Sequence, residues 1–192
     1  MFDRSMPNVS LEMRARLEGE IPEWTLPEGY GLRRFRAGEE LAWSEIETTA
    51  EEFEQVEDAL RRGFGGSFQP DYLLVDGRMY FVVDENDRPV ATATAWFDGE
   101  VGMLHWVAVH SEHQGKGLAR PVIAAALRRM QELGYAKAML HTQPMSWLAI
   151  KLYMEFGFRP VWPEDEKTLE GWKAVFAKLG KEFCKEECAD GD

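Results

Sequence analysis

Hydrophobic and polar positions alternate most clearly between residues 79 and 110. There the chain reads as three extended runs: residues 79–84, 89–96 and 101–110. A turn at Glu85-Asn86-Asp87-Arg88 and a tight Asp98-Gly99 turn separate them. Connections this short join antiparallel neighbours, so the spacing predicts a three-strand meander. Periodicity then changes from two to about 3.6. Ile123, Ala126, Leu127 and Met130 share one face of a helix over residues 118–133, and Gly134 stops it. Residues 136–143 read as a strand that enters after this crossover and is free to lie parallel to its neighbour. A helix from Ser146 follows, then a short strand at 158–162 and an acid-opened helix over 163–179.

Upstream, residues 30–36 alternate like a first strand, residues 41–62 carry one or two helices, and residues 63–70 are a glycine-rich loop. Residues 10–18 read as a short helix, ahead of a connector punctuated by Pro22 and Pro27. The whole reads as one mixed α/β domain over residues 1–192, with an N-terminal extension (1–28) and a helical C-terminal extension (163–192).

The bend between the third meander strand and the next helix carries candidate chemistry. Its sequence is Gln114-Gly115-Lys116-Gly117-Leu118-Ala119-Arg120, preceded by Val107-Ala108-Val109. Glycines expose the backbone, and the first turn of a helix offers unpartnered N–H groups at its positive end, so the segment suits a pyrophosphate. The dinucleotide fingerprint fails, because its last position is Arg120, and no G-x-x-x-x-G-K-[ST] loop is present. What remains, Gln114-x-x-Gly117-x-Ala119, resembles the coenzyme A motif of the GNAT superfamily of N-acetyltransferases. Downstream, Ser146-x-x-Ala149-x-x-x-Tyr153-x-x-x-Gly157-Phe158 resembles that family's N-x-x-A-x-x-x-Y-x-x-x-G-F pattern, with Ser146 in place of Asn. The resemblance covers roughly residues 79–162.

The resemblance implies a GNAT fold: a central, mostly antiparallel sheet of six to seven strands, splayed between the fourth and fifth, flanked by helices. It implies acetyl-CoA as co-substrate. Val107, Ala108 and Val109 would hold the pantetheine arm by backbone contacts. Gln114, Gly115, Lys116, Gly117, Leu118, Ala119 and Arg120 would hold the pyrophosphate, and Ser146 belongs to the donor site. Tyr153 stands where the family directs a phenol at the departing sulfur. Two histidines are candidate bases, since an imidazole titrates near neutrality. His105 resembles the histidine of arylalkylamine N-acetyltransferases, and His141 stands where ribosomal-protein N-terminal acetyltransferases carry Glu. The glutamate of histone-type enzymes has no counterpart, its place being taken by Met103. Many family members end in a seventh strand that hairpins onto the sixth. Here a helix follows instead, which leaves that wall to the N-terminal segment or to a partner.

Composition narrows the partners. A net charge of −12 argues against nucleic acid and fits a cationic acceptor. The densest acidic stretch, Glu45 to Asp58, reads mainly as a solvated helix face. No run is apolar and long enough for a membrane span or a secretory signal, so the expected location is the cytoplasm. The two cysteines, Cys184 and Cys188, read as reduced thiols, and no metal is expected. The expected function is acetyl transfer to a primary amine of a small molecule or peptide by direct attack, because no cysteine lies near the site to carry the acetyl group. Alternatives are a silent coenzyme A-binding protein and, more remotely, a Rossmann-type oxidoreductase. A homodimer is compatible with the sequence.

Overall fold

The computed structural model describes residues 2–69 and 71–189. The fold is mixed α/β, with seven strands that pair mostly antiparallel and helices packed on them. The chain divides into two compact units, Gly19–Gly134 and Met1–Glu18 with Tyr135–Asp192.

The larger unit contains the strand β2 (Gly31–Arg34) and the meander β3 (Met79–Val83), β4 (Pro89–Asp98) and β5 (Val101–Val109), paired antiparallel in the order β2, β3, β4, β5. The meander follows the alternation of the sequence. Val90 to Trp96 of β4 are all buried, so both faces of that strand are covered. On one face the helix α4 (Ala119–Glu132) packs its Val122, Ile123, Ala126, Leu127 and Met130, all fully buried. On the other, Met79, Phe81, Trp96 and Ala108 join an aromatic core with Trp43, Phe64 and Phe68. Burying aromatic side chains of this size supplies about 2–3 kcal/mol each, which makes this face the main source of the unit's cohesion.

The elements over that face depart from the sequence reading. Helix α1 (Glu40–Thr49) is followed by α2 (Val56–Asp58), a π-helical turn over Ala59–Phe64 and α3 (Gly65–Phe68). The expected loop at 63–70 is therefore helical through Phe68, and Pro70 lies outside the described residues. Burial of Phe64 and Phe68 in the core overrides the low helix propensity of Gly63, Gly65 and Gly66.

In the smaller unit the segment read as a helix is strand β1 (Leu11–Arg16), paired along six residues with β6 (Lys137–Thr142) and, on its other side, with β7 (Arg159–Pro160). Leu11, Met13 and Ala15 are buried while Arg14 and Arg16 are exposed, a period of two that the short segment displays in place of 3.6. The seventh strand thus comes from the N-terminal segment. Helix α5 (Trp147–Glu155) and helix α6 (Glu166–Lys178) complete the unit. Asp165 caps α6 by accepting from the Thr168 N–H at 2.9 Å, as its acidic start implied. The Asp3 carboxylate pairs with Lys178 at 2.7 Å, and that hydrogen bond holds its pKa down at about 2.

Candidate functional site

Strand β5 is interrupted where the sequence placed the donor-binding residues. Thr94 of β4 faces His105, but Thr92 faces Ala108, so Trp106 and Val107 together oppose Ala93. This is a β-bulge, and Trp106 takes φ +50°, a backbone region that a bulky residue rarely enters. A bulge takes backbone groups out of the ladder. The irregularity falls at Trp106 and Val107, beside Ala108 and Val109. The Trp106 indole is fixed by donating to Ser67 Oγ at 2.8 Å.

Beyond β5 the chain makes a 3₁₀ turn at Ser111–His113 and then the glycine bend. Gln114 is braced by donating from its side-chain amide to the Val109 carbonyl at 3.1 Å. Gly115 and Gly117 have φ of +75° and +80°, which glycine adopts without strain. Leu118 precedes α4 and offers no side-chain cap, so the first-turn N–H groups are left for an anion. Ala119 and Arg120 open that helix. The bend, the bare glycines and the uncapped helix are the geometry expected of a pyrophosphate site.

Tyr30 and His113 join this segment unannounced by any motif. The Lys116 ammonium donates to the Tyr30 hydroxyl at 3.2 Å, and Tyr30 lies 2.9 Å from His113 Nδ1. Burial, and then the charges of Lys116 and His110, push the His113 pKa down, which fits a neutral ring accepting the Tyr30 proton. His110 is buried and its Nδ1 accepts from the Glu112 N–H at 3.3 Å. His110, Glu112 and His113 bring potential ligand atoms within 4.8 Å of one another. The Nδ1 atoms of both histidines already lie in hydrogen bonds, that of His113 with Tyr30 and that of His110 with the Glu112 N–H.

The candidate acid and bases have different surroundings. His105 is half-buried, its ring 6.1 Å from Phe68 and 5.2 Å from Trp106. Pairing with Thr94 puts it on the aromatic face of the sheet. In the smaller unit His141 is exposed on β6 opposite Glu12, Ser146 is the residue before α5, and Tyr153 is buried with its ring 6.3 Å from Phe158.

Two members of the acidic stretch do not behave as a solvated face: burial raises the Glu52 carboxyl to about 7, and Glu47 departs further. Glu45 is half-buried and Glu51, Glu54 and Glu57 are exposed, but Glu47 is completely buried, and neither carboxylate oxygen has a hydrogen-bond partner. Burial, reinforced by the charge of Glu52, raises its pKa well above the usual carboxylate value. A signal existed in the sequence: Glu47 follows Trp43 by four and stands next to Ile46 on a helix, so it falls on the apolar stripe.

Meander, glycine bend and helix start have the arrangement of an acetyltransferase fold, and comparison with known proteins gives the family. The model of the acetyltransferase (GNAT) family matches residues 38–158, and the chain belongs to that family. It is similar to a mycothiol acetyltransferase of Thermobispora bispora, 31% identical over 164 residues, covering 82% of this chain and 56% of that protein. It is also similar to a human N-acetyltransferase 8B, 25% identical, covering 56% of this chain and 47% of that protein. The chain spans about half the length of the curated relatives it matches. A GCN5-related N-acetyltransferase from Sphaerobacter thermophilus shares the fold at a TM-score of 0.65 and 21% identity, over 80% of this chain and 49% of that one. A tandem GNAT protein from the clavulanic acid biosynthesis pathway shares it at 0.60 and 17%, over 83% and 52%. Among the described residues no helix is long and apolar enough to cross a membrane.

Proposed function

We propose that the chain transfers an acetyl group from acetyl-CoA to a primary amine by direct attack within a ternary complex. The observation that carries this reading is the continuous segment from the β5 bulge through the glycine bend to α4, which combines an interrupted ladder and bare glycines with an uncapped helix start. In this reading Val107, Ala108 and Val109 hydrogen-bond the pantetheine amides through their backbone. Gln114 to Arg120 hold the pyrophosphate, with Lys116 adding charge, and Ser146 contributes to the same donor.

The chemistry then needs three contributions. A neutral amine must attack the thioester carbonyl, forming the C–N bond; the developing oxyanion needs a hydrogen bond; and the C–S bond must break with a proton delivered to the thiolate. The Val107 N–H, at the bulge, suits the second role. Tyr153 suits the third by its place in the motif, its buried phenol being a proton donor at neutral pH. His105 is the better candidate than His141 for taking the amine's proton, because it shares a strand with the bulge while His141 faces solvent. The half-buried setting of His105 protects a proton transfer from competition by bulk water.

The test is calorimetric titration with acetyl-CoA, using NADH and ATP as controls, followed by an amine screen read by thiol release. One-to-one binding of acetyl-CoA alone, with amine-dependent thiol release, is the expected result. Binding without release from any amine would leave a coenzyme A-binding scaffold, and absence of binding would remove the donor assignment.

A further inference from the structure

The aromatic face of β4 and β5 carries more polar groups than its core role explains. Thr92 and Thr94 lie on that face, since they pair across the sheet with Phe81 and Met79. Both threonines are fully buried, and their hydroxyls have no partner. The Trp43 indole N–H, also fully buried, and both oxygens of Glu47 are likewise unpartnered. Buried polar atoms are nearly always satisfied, and a set of orphans on one face marks a place that something else completes.

The rings beside Glu47 say what that something is. Trp106 stands 5.4 Å from Trp43 at 87° and 5.5 Å from Phe53. Gly63 lets Trp43 and Phe53 approach, because a Cβ there would fall 2.6 Å from Phe53 and 3.1 Å from Trp43. Glu47 stands one helical turn beyond Trp43 on the same face of α1. Its backbone carbonyl accepts the Glu52 N–H at 3.0 Å, which brings the Phe53 segment alongside. A buried carboxylate one helical turn from Trp43, whose ring meets Trp106 and through it Phe53, offers the parts of a receptor for an organic cation: ring faces attract the charge and a carboxylate neutralises it. Two irregularities hold the arrangement, the π-helical turn that presents Gly63 and the positive φ of Trp106. Both cost free energy and cluster at functional places in folds.

We propose that Glu47, with Trp43, Phe53 and Trp106, binds a second positively charged group of the acceptor, so that the preferred acceptors are diamines or amines bearing another cationic centre. This rests on the acetyltransferase reading for the word acceptor, but the cation site itself does not. Trp106 lies between His105 and Val107 on β5, which ties the receptor to the strand proposed to carry the chemistry. The ammonium held by Glu47 stays protonated, while the other amine of the molecule is the one acetylated.

The experiment uses the full chain and two readouts. α,ω-Diaminoalkanes of three to seven carbons are compared with monoamines of equal length in thiol release, and tryptophan fluorescence follows binding of the same compounds without acetyl-CoA. The native chain should favour the best diamine by about tenfold or more in kcat/KM, the difference expected for one charged hydrogen bond. Glu47→Gln should abolish that preference through KM, with monoamine turnover and acetyl-CoA affinity within about twofold. Its melting temperature should not fall, since an amide replaces an unpartnered carboxyl of the same shape. A Trp106→Phe variant, which keeps a ring, should weaken diamine binding less than Glu47→Gln does. Transfer to amines with equal rates for diamines and monoamines, and no fluorescence response, would overturn the cation site and leave the acetyltransferase reading intact. Saturable fluorescence quenching by a diamine, lost in Glu47→Gln but without transfer to any amine, would keep the cation site and remove that reading. A melting temperature lowered by Glu47→Gln, with the diamine preference unchanged, would make Glu47 a structural residue.

Discussion

Two stretches of the larger unit, the β5–α4 crossover proposed to hold the donor and the α1–α3 helices proposed to hold a second cation, differ in the parts of the chain they use. The crossover works through its main chain: a bulge, two glycines with positive φ and an uncapped helix start. Its side chains mostly brace it, as Gln114 does on the Val109 carbonyl. The α1–α3 helices work through side chains. With the segment between α1 and α2, they gather Trp43 and Phe53 against Trp106 and leave the buried Glu47 carboxyl unpartnered. A ligand common to a family, with phosphates and amides, is met by backbone geometry that many sequences can build. A ligand particular to one protein is met by side chains, which vary freely once the backbone is fixed.

The sharpest way to break this comparison is at Gly117. Gly117→Ala should weaken acetyl-CoA binding modestly, because a side chain at φ +80° costs about 1–2 kcal/mol. Gly117→Glu adds a carboxylate against the pyrophosphate and should bring the loss to about a thousandfold. Calorimetry on both variants separates strain from charge, and equal affinities would show that phosphate does not sit there.

Next in size is Tyr153→Phe, which should leave acetyl-CoA affinity unchanged and lower kcat about a hundredfold, the contribution of a positioned proton donor. Unchanged turnover with a normal fold would reduce Tyr153 to a core residue.

On the side of the α1–α3 helices the expected effects are on stability. Because the folded pKa of Glu47 is raised above its ordinary value of 4.5, the folded chain binds more protons than the unfolded chain as pH climbs past about 4.5. Stability should therefore fall as pH rises from there, until the folded group itself ionises. Denaturant melts across pH should show that slope in the native chain and a flatter profile in Glu47→Gln, with the part contributed by Glu52, whose carboxyl is raised to about 7, remaining. Glu47→Leu, which removes the buried polar atoms altogether, should be more stable at pH 7 by about 1–3 kcal/mol. Glu54→Gln, at an exposed position of the same acidic stretch, should change stability by less than about 0.5 kcal/mol. If both substitutions had equally small effects, Glu47 would not differ from its exposed neighbours.

The crossover was legible because its chemistry is local. Val107 to Arg120 are contiguous, and glycine spacing is a direct readout of backbone conformation. The meander was equally legible, since alternation and short turns leave few other pairings. By contrast, residues 10–18 read as a short helix. The segment became a strand because β6 and β7 offered it backbone partners on both sides. The glycine-rich run at 63–68 became helical because Phe64 and Phe68 had a core to enter.

The sequence by itself determined the meander, the glycine bend and the family these define, because short-range periodicity and backbone freedom are written in neighbouring residues. Only the tertiary structure decided that the N-terminal segment becomes a strand between β6 and β7, that Glu47 of the acidic run is wholly buried, and that Trp43, Phe53 and Trp106 meet around the bulge. Those outcomes depend on which surfaces the rest of the chain presents, and burial is a property of the packed molecule that no single segment carries.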